Sequence, residues 1–128
     1  MFRRTSVVLA MAVSLGAASG PALADGDAEA GAKVFNKCKA CHTIAASDKH
    51  KVGPNLHGVI GRAAGTADGY RYSKAMSESG LTWDEATLTQ YLHAPRDFVK
   101  GTKMSFAGLK KDDEIEDVLA YIKAESAK

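Results

Sequence analysis

The chain has 128 residues, 45% hydrophobic and 25% charged, with two cysteines and a formal charge of +2. These values suit one small globular domain and exclude a disulfide-rich scaffold or a fibrous chain. Seventeen basic against 15 acidic residues is too even a balance for a bulk nucleic-acid binder.

Residues 1–24 read as a secretory signal peptide. Arg3 and Arg4 precede an apolar run from Val7 to about Ala18, and Ala22-Leu23-Ala24 is a small-x-small cleavage site. The run is about a dozen residues, short of the roughly 20 needed to span a bilayer. Cleavage after Ala24 and export to the periplasm are therefore expected, leaving no integral membrane segment; an uncleaved anchor is the weaker alternative. The Arg3-Arg4 pair lacks the surrounding pattern of a twin-arginine signal.

The expected domain, 25–128, holds 15 basic and 15 acidic residues and only 18 Leu, Ile, Val and Phe, about 17%. That share is below the roughly 20% at which side chains alone readily build a core. With no net charge to favour disorder, the shortage points to a large apolar cofactor inside the fold.

No alternating-hydrophobic run is long enough to suggest a sheet, so the expected fold class is all-α. A first helix should begin near Asp27, with Gly31, Val34, Phe35 and Cys38 on one face. From Thr43 to Tyr72 the density of glycine predicts an irregular loop wrapped closely around a bound object. Ser73 to Glu78 suits a short helix closed by Gly80. Thr82 and Glu85 have capping-box spacing, predicting a helix through Leu88, Tyr91 and Leu92 that stops before Pro95. After a second loop, from Asp97 to Leu109, a last helix should start at Asp112 to Glu114 and bury Ile115, Val118, Leu119 and Ile122. The first and last helices should cross, with Gly31 permitting close approach and Phe35 meeting Leu119 or Tyr121.

Cys38-Lys39-Ala40-Cys41-His42 is a C-x-x-C-H motif, the haem c attachment pattern. Two thiols at this spacing can reach the two vinyl groups of a porphyrin and form thioethers, with His42 beneath the iron. The other ring nitrogen of such a ligand needs an acceptor, for which the Pro54 carbonyl is the candidate. A structural zinc site lacks ligands, because the chain has only two cysteines and His50, His57 and His93 form no paired motif. An exported thiol-disulfide oxidoreductase remains an alternative, disfavoured by the absence of any βαβ pattern.

From Gly31 to Lys123 the chain resembles class I cytochrome c, the branch of mitochondrial cytochrome c and its soluble bacterial relatives. The resemblance rests on Gly31 and Phe35, Cys38 to His42, Gly53-Pro54-Asn55-Leu56-His57-Gly58, Gly61-Arg62, Tyr72, Trp83, Tyr91-Leu92, Pro95, the segment from Gly101 to Gly108, and Tyr121. It implies few helices wrapped around one haem c, covalently attached through Cys38 and Cys41. It further implies His42 and Met104 as axial ligands and a role as a single-electron carrier rather than an enzyme. A lone methionine is more often packing than ligand, but Met104 lies in a Gly-bounded loop where core packing would not ordinarily put it. By the same resemblance Arg62, Tyr72 and Trp83 would meet the haem propionates and Tyr91 would lie near the methionine ligand. A departure is Met76, where mitochondrial members carry asparagine.

Lys37, Lys39, Lys51, Lys100, Lys103, Lys110 and Lys111 flank the segments expected to frame the haem edge, whereas acids gather from Asp112 to Asp117. A neutral domain can thus have a basic face that docks acidic surfaces of redox proteins: an oxidase, a reductase or a photosynthetic reaction centre. The carrier is expected to be a monomer. A haem enzyme or gas-binding protein with a displaceable Met104 is the rival reading.

Overall fold

Asp27 starts the first helix: its carboxylate accepts hydrogen bonds from the amides of Glu29 and Ala30 at 2.8 and 3.3 Å, and α1 spans Ala28–Phe35. The computed structural model describes residues 26–128; the signal peptide and the cleavage after Ala24 expected from the sequence lie outside them. The remaining helices are α2 (Lys74–Ser77), α3 (Glu85–His93), α4 (Pro95–Phe98) and α5 (Asp112–Ser126). Among the described residues the only β pairing is one isolated bridge, Ala63 to Thr82, so the architecture is all-α. No helix there is long and apolar enough to cross a membrane.

α5 begins on three consecutive acids, Asp112, Asp113 and Glu114, at the positive end of its dipole. It buries Ile115, Val118, Leu119 and Ile122 along one stripe. α1 packs across it at Gly31, where an added Cβ would lie 1.9 Å from the Asp117 carbonyl oxygen. The backbones approach more closely than any side chain permits. Phe35, 1% exposed, meets the Tyr121 ring with centroids 5.1 Å apart.

Two local expectations are corrected. The cap of α3 is Asp84, whose carboxylate accepts from the Thr87 amide at 2.7 Å, rather than Thr82 in a capping box. Thr82 is drawn into the bridge with Ala63, which keeps it extended and moves the helix start downstream to a stronger acceptor. The loop expected from Asp97 is regular at its start, because Pro95 supplies the preset φ of a helical first position and opens the short α4. α2 begins on Ser73, whose hydroxyl accepts from the Met76 amide at 3.1 Å.

Candidate haem site

The regular helix α1 ends at Phe35, but its turns continue through the cysteines. The amides of Cys38 and Lys39 bond to the Phe35 carbonyl at 2.8 and 3.0 Å, and those of Cys41 and His42 to the Cys38 carbonyl at 3.0 and 2.9 Å. This turn places Cys38, Cys41 and His42 on the wall of a cavity of about 280 Å³, near the lower end of the range for small-molecule sites, about 300–1,000 Å³. Its lining also includes Pro54, Arg62, Tyr72, Trp83, Tyr91 and Met104. Every site residue singled out from the sequence therefore faces one space.

His42 is held from the side. Its Nδ1 donates to the Pro54 carbonyl at 2.7 Å, which leaves Nε2 as the ring's lone-pair nitrogen in the neutral form. Burial lowers its pKa, with the Pro54 bond opposing in part, so the imidazole stays neutral and able to ligate. Gly53 explains how the ring fits: a Cβ there would lie 2.4 Å from Cε1 of His42. The glycine-rich loop was expected to lie against a bound object; at Gly53 its backbone lies against the imidazole.

Met104 comes from the chain between α4 and α5. Exposure alternates residue by residue from Gly101 to Ala107: Thr102, Met104 and Phe106 are half-buried while their neighbours are exposed. An extended strap has this two-residue period. Tyr91 donates its hydroxyl to Met104 Sδ at 3.4 Å, and its oxygen is 3.0 Å from Thr102 Oγ1. The Met104 amide donates to the same Thr102 oxygen at 3.4 Å. With Thr102 donating to Tyr91, the three groups close a ring of hydrogen bonds around the thioether. Burial raises the Tyr91 pKa, with the Thr102 bond opposing it, so the phenol remains a donor.

Of the remaining candidates, Trp83 is buried and tilts against the Tyr91 ring at 4.9 Å. Arg62 donates to the His57 carbonyl at 3.3 Å, and the Tyr72 hydroxyl accepts from the Ala67 amide at 3.1 Å. Both retain hydrogen-bonding capacity towards an acid in the cavity. Met76, 8% exposed, adds an apolar side chain to the lining. His50 and His57 make backbone bonds, to the Asp68 carbonyl at 2.7 Å and the Ile44 carbonyl at 3.2 Å, and His93 pairs with Asp112 at 2.7 Å. Sequence reasoning missed Tyr70, which lines the cavity and donates to the Val52 carbonyl at 2.6 Å; its spacing of two from Tyr72 was the available signal. It also assigned no part to Thr102.

Comparison with known proteins decides the family. The family model described as Cytochrome c matches residues 28–126. The chain belongs to the cytochrome c family. It is similar to cytochrome c-550 of Nitrobacter winogradskyi, 54% identical over 97 residues that cover 76% of this chain and 89% of that protein. It is also similar to cytochrome c2 of Rhodoblastus acidophilus, 52% identical over 97 residues that cover 76% and 91%. Among solved structures, cytochrome cH from Methylobacterium extorquens aligns with a TM-score of 0.74 at 50% identity, covering 77% of this chain and 99% of that one.

Membership brings covalently bound haem c, and the cavity of this cytochrome fits it. Burial pushes the Cys38 thiol up to about 11, whereas the attacking thiol of a disulfide oxidoreductase has a lowered pKa. Before attachment Cys38 would be a neutral thiol against an apolar cavity, and Cys41 is exposed. An imidazole with its far nitrogen already tied and a hydrogen-bonded thioether complete a donor set suited to iron.

Proposed function

We propose that this cytochrome is a periplasmic carrier in which His42 and Met104 are the two axial ligands of one haem, with Cys38 and Cys41 as the thioether anchors. It carries single electrons, the role of its family. The observation that supports the ligand set most directly is the pairing within one cavity of a Pro54-tied imidazole and a thioether that accepts a hydrogen bond from Tyr91. The bound haem iron supplies a one-electron couple, and a thioether ligand favours its ferrous form.

The chain's own residues restrict the chemistry to that couple. With His42 and Met104 as its two protein ligands, the iron would have no vacant position for oxygen, peroxide or a substrate. The apolar lining disfavours extra positive charge, which moves the potential the same way as the thioether. Arg62, Tyr72 and Trp83 are assigned to the propionates because each carries a hydrogen-bond donor and lines the cavity.

Docking is assigned to the mouth of the cavity. Lys37 and Lys103 contribute to the lining, and Lys51 donates to the Lys39 carbonyl at 2.6 Å beside the attachment motif. Acids 112–117 lie at the start of α5. Glu114 comes within 3.8 Å of Lys37, but among the described residues Lys51 and Lys103 form no ion pair, which favours acidic faces of larger redox complexes as partners, and electron exchange should slow as salt rises.

Carbon monoxide separates this reading from a gas-binding protein or haem enzyme. The reduced protein at neutral pH should resist it, and Met104→Ala should bind it readily. Ready binding by the unaltered protein would overturn the assignment.

A further inference from the structure

Two irregular segments meet across the mouth of the cavity, and one side chain joins them. Lys103 lies next to Met104 on the outward side of the strap. Its ammonium donates to the Arg71 carbonyl and sits over the Tyr70 ring, 4.5 Å from the centroid. Among the described residues Lys103 makes no ion pair, so its charge is directed to a carbonyl and a ring face instead of an acid. Tyr70 is itself fixed: its hydroxyl donates to the Val52 carbonyl at 2.6 Å, and its ring meets the Tyr72 ring edge-on at 4.7 Å. Val52 precedes Gly53, whose amide is bonded to the Cys41 carbonyl at 2.7 Å.

We propose that the Lys103–Tyr70 pair is a positioning bridge that holds the Met104 strap against the His42 side of the cavity and so keeps the thioether on the iron. The inference rests on reading Met104 as the second axial ligand. A cation over an aromatic face and a charge-assisted hydrogen bond together are strong for an exposed contact. They span two segments that are otherwise far apart in sequence. Releasing the thioether requires the strap to move, and movement of the strap breaks both interactions. Neither residue touches the iron; each acts through Met104.

Imidazole titration of the ferric haem-loaded protein reads the bridge directly, because imidazole binds only where Met104 has left. In Lys103→Gln the imidazole affinity should rise about tenfold. In Lys103→Arg, whose guanidinium can both donate to Arg71 and stack on Tyr70, it should stay within about twofold of the parent. Tyr70→Leu should raise the affinity comparably to Lys103→Gln, and the double variant should show little more than either alone, the signature of coupled residues. Parent-like affinity in Lys103→Gln, or a full Lys103→Gln effect in the Tyr70→Leu background, would overturn the bridge. The ferric sulfur-to-iron band of the parent keeps the two readings distinct. If it is absent, methionine ligation fails and the bridge fails with it; if it is present while Lys103→Gln binds imidazole like the parent, the bridge alone fails.

Discussion

The α1–α5 crossing and the loops around the cavity solve the packing problem differently. At the crossing, side chains and backbone fill the space directly: Phe35, Ile115, Val118 and Ile122 are at most 6% exposed, and Gly31 lets the helices touch. Around the cavity, the segments from Thr43 to Tyr72 and from Gly101 to Ala107 have almost no regular structure and are tied by individual hydrogen bonds. The first region satisfies most of its own apolar surface, with Leu119 and Ile122 also lining the cavity. The second encloses a space that the chain does not fill, which is what its small aliphatic inventory requires. Stability and redox function should therefore respond to mutations in different places.

The sharpest break comes from removing the cofactor. Cys38→Ala/Cys41→Ala deprives the cavity of its covalent filling, and the apoprotein should lose most of its helical circular dichroism, since even the α1–α5 pair is too small to fold by itself. A native-like helical spectrum would show that the loops do not depend on haem. Next come two glycine substitutions that separate the regions. Gly31→Ala forces a Cβ onto the Asp117 carbonyl and should cost about 2–3 kcal/mol in denaturant titration, with the midpoint potential unchanged. Gly53→Ala pushes the His42 ring from its place and should shift the potential as well as the stability. Equal effects of both on the potential would erase the distinction.

A finer test concerns Tyr91. Its hydroxyl draws electron density from the Met104 thioether, weakening donation to iron and favouring the ferrous state. Tyr91→Phe should lower the potential by about 40 mV, equivalent to one hydrogen bond of about 1 kcal/mol, as read by redox titration. An unchanged or raised potential would remove the hydroxyl from the tuning of the iron. The smallest effect belongs to an exposed helix cap, next in sequence to the cavity-lining Trp83. Asp84 is held below the ordinary value of 3.8 by the Thr87 hydrogen bonds. Its stabilisation of α3 is thus fully present above that value and disappears as the pH falls through the depressed one. Asp84→Ala should lower the melting temperature slightly at neutral pH and make no difference in strong acid.

The same contrast explains what was legible in the sequence. α5 was read with its four buried residues because a 3.6-residue apolar period and an acidic first turn are local signals. Gly31 and the Phe35–Tyr121 contact were readable because crossed helices need a small residue where they touch. The motif led directly to Cys38, Cys41 and His42, and the resemblance led to Met104, now found on the wall of the same cavity. What escaped was tertiary. Thr82 looks like a cap until Ala63 pairs with it. Tyr70 and Thr102 gain their roles only from partners 18 residues upstream and 11 residues away. The alternation around Met104, bounded by Gly101 and Gly108, is too short to stand out as an extended strap.

The ferric visible spectrum at neutral pH tests methionine ligation most directly. Ligation by Met104 predicts a weak sulfur-to-iron band near the red end in the parent and its loss in Met104→Ala. A ferric parent without that band, or a Met104→Ala protein that keeps it, would contradict methionine ligation.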